Sequence, residues 1–233
     1  MNITAAIIEP DPDAMRRFHE TVWGRLSWPD DALLAVVEMR KGHIRTTRVP
    51  VHDQDAFISA CVAACARGAD AYVAVAPQPA AARELGPTRR GGRSVALGLP
   101  ALFVDIDVAG PGHHAGGEAG ALPLPTEAQA LELMRQWPLQ ITALVSTGGG
   151  FHAWSCLTTP LDWQSADGQE LLRRWKAALE QLFVTAGFHL DVGVLADPAR
   201  ILRIPGTFNQ KTGSPRPVRL VDFHVDAISK EIT

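Results

Sequence analysis

Ala101-Leu102-Phe103-Val104-Asp105-Ile106-Asp107 is the stretch on which the fold turns. Four apolar residues run into Asp-x-Asp, the pattern of a buried strand ending in two carboxylates. Side chains alternate along a strand, so Asp105 and Asp107 share one side while Ile106 points into the core. Two like charges that close repel, and each pushes the other's pKa away unless a cation lies between them. Oxygen-rich pairs suit Mg²⁺ or Mn²⁺, ions able to bridge phosphate groups. An exposed strand end with two solvated aspartates gives the same letters, so the pair needs support from elsewhere in the chain.

Outward from this strand, hydrophobic spacing predicts alternating elements. Residues 11–26 read as a helix capped by Asp11 or Asp13. Residues 33–39 and 44–51 read as a hairpin turning at Lys41-Gly42, followed by a helix over 53–67 that ends at Gly68. A short strand occupies 71–76. Residues 77–98, rich in Ala, Pro, Gly and Arg, show no periodicity, and a connection of that length inside a domain is usually functional or mobile. The Asp-x-Asp strand extends over 101–108, and a Gly/His-rich loop containing His113-His114, read as a flexible surface pair, leads to Pro125. A capping box at Thr126 opens a helix to Trp137, stopped by Pro138. Strands follow at 141–146 and 151–157, then a long amphipathic helix over 163–186 with Leu171, Trp175, Leu179 and Phe183 on its apolar stripe. Strands at 201–204 and 217–223 finish the pattern. The order is βαβ-like with added antiparallel hairpins and without an internal repeat, which makes the class α+β.

Two further segments carry chemistry. Ser146-Thr147-Gly148-Gly149-Gly150-Phe151-His152 is a glycine turn feeding a strand. Its backbone N–H groups can approach phosphate oxygens closely, and His152 can donate to one. No Gly-Lys-Ser/Thr follows, so it is not a Walker A loop; a flexible hairpin with a core histidine accounts for it equally well. The other segment runs from Asp191 through Arg200, Arg203, Pro205-Gly206-Thr207 and Asn209 to Lys211. Arginine forks suit a triphosphate. Asp197, just before Pro198, reads as a turn former, which leaves Asp191 as the candidate metal ligand.

The 233 residues, 46% hydrophobic and 20% charged, fit one globular domain or two closely packed subdomains, an N-terminal α/β unit over 1–76 and a motif-bearing unit over 77–233. No apolar run is long enough to span a bilayer, and the N-terminus lacks the marks of a signal peptide. Three cysteines cannot all pair; Cys61 and Cys65 read as core packing, no Cys/His spacing suggests zinc, and a reducing cytoplasm is expected. A net charge of −3 argues against gripping long duplex DNA by charge alone. Arg89, Arg90 and Arg93 nevertheless form a local basic cluster, a candidate contact for nucleic acid.

Asp-x-Asp after an apolar strand, then Ser-Thr-Gly-Gly-Gly-Phe-His, then Asp-x-Gly-Val with Arg-x-x-Arg-x-Pro-Gly-Thr-x-Asn-x-Lys resembles the archaeo-eukaryotic primase superfamily. The likeness is greatest to the primase–polymerases of plasmids, phages and other mobile elements, and runs from about Tyr72 to Val221. It implies an RNA-recognition-motif-like catalytic sheet packed on a second α/β unit. It also implies a two-metal site of Mg²⁺ or Mn²⁺ on Asp105, Asp107 and Asp191. His152, with Ser146 and Gly148, Gly149 and Gly150, corresponds to the part that meets the incoming nucleotide's phosphates. Arg200, Arg203 and Lys211 correspond to basic residues lining the nucleotide pocket. The implied activity is template-directed nucleotide addition to a 3′-hydroxyl, with NTP or dNTP and single-stranded or primed DNA as partners, and a helicase or other replication protein beside it. No zinc-binding stem or helicase domain accompanies the motifs. Two other classes compete: an initiator module that binds nucleotide and single-stranded DNA without chemistry, and a metal-dependent phosphodiesterase.

Overall fold

Leu33–Arg40 (β1) and His43–Pro50 (β2) pair antiparallel, from Leu33 opposite Pro50 to Arg40 opposite His43. Lys41 and Gly42 between them lie at φ 47° and 82°, the left-handed turn that matches strand twist. The first six residues of β1 are buried, as a strand covered on both faces requires. Asp53 caps α2 (Gln54–Ala66) by accepting from Ala56 N at 2.9 Å. Asp70–Ala74 (β3) pairs with the other edge of β1, and Ile201–Arg203 (β7) pairs with β3. The N-terminal α/β unit therefore takes its fourth strand from far along the chain.

A second sheet holds Leu99–Asp107 (β4), Ala143–Ser146 (β5), Gly150–Leu161 (β6) and Arg219–Val221 (β10) in the order β10-β5-β6-β4. Both β4 and β5 run antiparallel to β6. They are therefore parallel to each other, joined through α3 (Glu127–Arg135), with β6 inserted between them. The βαβ pattern expected from sequence is thus a split one. Phe208–Asn209 (β8) and Arg216–Pro217 (β9) form a small ribbon. In this computed structural model the described residues are 9–110 and 122–222. His113-His114 lies outside them. No helix among them is long and apolar enough to cross a membrane.

The first helix wedges the two sheets together. Asp11 caps α1 (Pro12–His19), which passes into a π turn over Glu20–Gly24 rather than continuing as the expected α-helix. Phe18 meets Trp154 of β6 edge-on at 5.4 Å, and Trp23 donates Nε1–H to Val75 O at 3.0 Å. The Pro205-Gly206 turn docks on the start of α1: Gly206 O accepts from Asp11 N at 2.9 Å. Gly206 has φ 85°, and a Cβ there would lie 2.3 Å from Asp11 O, so glycine is required. The long helix α4 (Ala166–Thr185) buries Trp175, Leu179 and Phe183 but leaves Leu171 38% exposed, which removes Leu171 from its apolar stripe.

Candidate functional site

The β4–β6 register sets Asp105 directly opposite His152 and Asp107 opposite Gly150. Opposed residues share a face, so these four lie together, with Phe103 opposite Trp154 next along the same face. Ile106 takes the other face and is 1% exposed, as the alternation demands. One end of this face is aromatic core against Phe18; the other end is polar.

Arg200 reaches this face because the chain crosses from one sheet to the other just before it. Ala196 N donates to Phe103 O at 3.3 Å along the free edge of β4, and Arg200 O accepts from Val75 N at 3.0 Å beside β3. Leu195 and Ala196 are buried, and Ala196 turns the chain at φ 47°. Arg200 Nη2 then donates to Asp105 Oδ2 at 2.6 Å, and His152 Nε2 stands 3.4 Å from Asp105 Oδ1. Burial alone would raise the Asp105 carboxyl. The charge and hydrogen bond of His152, then those of Arg200, outweigh it and hold the group well below the usual carboxylate range. Among the described residues, His152 Nδ1 and Arg200 Nε are buried without a hydrogen-bond partner. Leaving buried polar groups of that kind without a partner is costly.

A second ion pair stands behind the first. Arg203 Nη1 donates to Asp70 Oδ1 at 2.5 Å, and its guanidinium lies 4.7 Å over the Tyr72 ring. Asp70 also accepts from Gln210 N at 2.8 Å. The Tyr72 hydroxyl is pushed up, first by burial, with Arg203, Asp70, Asp105 and Arg200 all acting on it. Neither Asp70 nor Tyr72 stands out in the sequence; that Tyr72 is the single tyrosine of the chain is the one available signal.

The glycine turn is held from within. Gly149 N donates to Thr147 Oγ1 at 3.3 Å, and Thr147 N donates to Gly150 O at 2.9 Å. Arg216 Nη1 grips Gly148 O at 2.5 Å, and Asn209 Nδ2 donates to Thr147 O at 2.8 Å. A Cβ at Gly150 would lie 2.0 Å from Ile106 O, so close approach of β4 is what fixes this glycine. Ser146 opposes Phe151, on the face away from His152, where it lines an open cleft of about 200 Å³ with Gly148, Gly149, Glu127 and Arg216. Lys211 is exposed, its backbone N donating to Asn209 Oδ1 at 3.0 Å. Asp191 is exposed and caps a three-residue 3₁₀ turn over Val192–Val194 by accepting from Gly193 N at 3.0 Å. Arg93 pairs with Asp197 at 2.9 Å, while Arg89 and Arg90 are exposed.

No protein-family model and no curated protein matches the sequence. Among solved structures, the AEP domain of the cyanophage S-2L primase-polymerase (PrimPol) superposes with a TM-score of 0.53 at 15% identity, over 93% of this chain and 92% of that one. The fold is that of an archaeo-eukaryotic primase domain. Two structures of primase RepB′ resemble it less. One has a TM-score of 0.49 at 12% identity, over 89% of this chain and 56% of that one. The other, the RepB′ catalytic domain in complex with initiator DNA, has a TM-score of 0.48 at 13% identity, over 90% and 82%.

The structure thus brings Asp105, His152 and Arg200 into contact on the sheet of a primase-type fold, with Asp107 two residues on. Among the described residues no group of three or more His, Cys, Asp or Glu side chains is gathered closely enough to hold a metal ion, so Asp191 does not complete a cage with Asp105 and Asp107. An anionic Asp105 and an Asp107 on the same face fit Mg²⁺ of another kind. That ion is usually held by one or two carboxylates and completed by water and substrate phosphates.

Proposed function

We propose that this chain is a template-directed nucleotidyltransferase that adds nucleotides from NTP or dNTP to a 3′-hydroxyl. The supporting observation is the contact of Asp105 with both His152 and Arg200 on a primase-type sheet. Asp105 and Asp107 would hold Mg²⁺ or Mn²⁺. The ion, when bound, supplies Lewis-acid stabilisation of phosphoryl oxygens and lowers the pKa of a bound hydroxyl. Arg200 would exchange the Asp105 carboxylate for the nucleotide's triphosphate tail. His152 Nδ1 and Arg200 Nε, buried and without a partner among the described residues, would offer it further hydrogen bonds. The primer 3′-hydroxyl gives its proton to solvent as its oxygen bonds to the α-phosphorus, the α–β bridge breaks, and pyrophosphate leaves with its charge met by Arg200 and Lys211. Arg203 supports the pocket through Asp70 and Tyr72.

The test is a primed DNA template with dNTPs and Mn²⁺. Wild type extends the primer, and Asp105→Ala combined with Asp107→Ala reduces extension by at least about a hundredfold. Equal extension by both proteins overturns the assignment.

A further inference from the structure

Segment 77–98, without periodicity in sequence, is fastened to the first sheet by one arginine and one glutamine. Arg48 on β2 donates Nε to Gln78 Oε1 at 3.0 Å, Nη1 to Gly86 O at 3.2 Å and Nη2 to Arg89 O at 2.6 Å. Gln78 is 3% exposed and donates Nε2 to Arg90 O at 2.8 Å; its backbone exchanges two hydrogen bonds with Leu33. Thr46 N donates to Pro87 O at 2.6 Å. Gly91 lies at φ 85°, and a Cβ there would come within 2.6 Å of Gln78 Nε2. At the far end Arg93 holds Asp197 and lies 5.3 Å over the Trp163 ring.

This fastening acts on the backbone and leaves charge unused. Among the described residues every acceptor of Arg48 is a neutral oxygen, and no carboxylate pairs with it. Its pKa is pushed down, first by burial and then by the like charge of Arg83. Arg89 and Arg90 have their carbonyls held while their side chains are exposed; among the described residues no acceptor takes either guanidinium. Arg89, Arg90, Gly91 and Gly92 line an open cleft of about 430 Å³ with Ile44 and Val95. Gly91 and Gly92 also line a second, small pocket with Pro198-Ala199, the residues just before Arg200.

Concentrated positive charge in a chain of net charge −3 calls for a polyanion. Among the described residues no aromatic side chain lines the cleft, so contact there falls on phosphates, which position a strand without reading its sequence. Two glycines between the arginines and the active-site segment let a strand lie close to the protein backbone.

We infer that the Arg89-Arg90-Gly91-Gly92 cleft holds the phosphate backbone of the single-stranded DNA template, with Arg48 as the positioning residue that fixes the loop; this rests on the nucleotidyltransferase reading. The test is the affinity for a fluorescein-labelled oligothymidylate, followed by anisotropy across a salt series without metal or nucleotide. For the combined Arg89→Ala and Arg90→Ala variant, the slope of log affinity against log salt becomes shallower by about 1.4, or about 0.7 for each lost phosphate contact. Its affinity for dNTP alone is unchanged. Arg48→Lys keeps the charge but cannot make the three contacts. It weakens oligonucleotide binding in the same direction, and trypsin nicks the loop after Arg89 or Arg90 in a protein that otherwise melts cooperatively. An unchanged slope in the double variant, absence of oligonucleotide binding by wild type, or loss of dNTP affinity in the double variant overturns the inference. Wild-type behaviour of Arg48→Lys in both assays overturns the positioning role. A shallower slope in a protein that extends no primer leaves the cleft standing as a DNA groove and strikes the transferase reading alone.

Discussion

Arg200 donates to Asp105 Oδ2 at 2.6 Å, so an arginine of the third motif neutralises an aspartate of the first across 95 residues of chain. His152 covers the other oxygen at 3.4 Å. On the proposed function, a divalent cation and Arg200 would compete for one carboxylate. Replacing Arg200 by alanine is expected to tighten nucleotide-free Mn²⁺ binding by about tenfold, equivalent to about 1.4 kcal/mol, and to weaken binding of the dNTP. Electron paramagnetic resonance titration of free Mn²⁺ checks the first effect; unchanged or weaker Mn²⁺ affinity refutes the competition.

The same pair sets a pH dependence. Burial by itself raises the Asp105 carboxyl, and His152 and Arg200 together hold it well below the usual range. The folded form thus binds this proton less readily than the unfolded chain. Asp105 therefore adds stability above the ordinary carboxylate range, near about pH 4, and loses it as pH falls from there toward the folded-state value. Urea midpoints measured from neutral to acid pH should converge for wild type and Asp105→Asn as the medium becomes acidic. Parallel curves contradict the shift.

Arg203 belongs to the fold as much as to the pocket. Its side chain is 8% exposed, that of Asp70 is 15% exposed, and the ring of Tyr72 lies under the guanidinium. Arg203→Ala leaves a nearly buried carboxylate without its cation and is expected to cost about 3 kcal/mol of stability. Chemical denaturation reads this directly. A variant with unchanged stability and only weaker nucleotide binding would return Arg203 to a purely ligand-facing role.

Gly150→Ala tests the β4–β6 register. The added Cβ would meet Ile106 O at 2.0 Å, backbone against backbone, and neither strand can yield without moving Asp105 or His152. A loss of at least about 2 kcal/mol is expected, together with loss of primer extension. A wild-type melting temperature would show that the strands are further apart at this point.

Much of the fold was legible because local chemistry and tertiary structure agree. The Lys41-Gly42 hairpin, the Asp53 and Thr126 caps, and the alternation at Asp105-Ile106-Asp107 all form as their residues dictate. The contact of Asp105 with His152 and Arg200 gathers residues that the three motifs singled out. What stayed hidden depends on distant partners. The π turn after α1 carries Trp23 to Val75 O, a contact with no local signature. Strand β6 runs on to Leu161 through Thr158-Thr159-Pro160, which reads as a strand end, because the register shifts between Leu99 and Ala101 in β4. Asp70 and Tyr72 became site residues only once β7 paired with β3. Segment 77–98 is pinned by Arg48, about 30 positions earlier than its contact Gln78, a relation no periodicity can carry.

The most direct measurement follows α-labelled dNTP supplied to the purified protein with Mn²⁺ and a primed template. Label appearing in a lengthened strand, with pyrophosphate released and with no incorporation by Asp105→Ala combined with Asp107→Ala, is the expected result. Label appearing only as free monophosphate, or incorporated equally without the two aspartates, would contradict nucleotidyl transfer at this site.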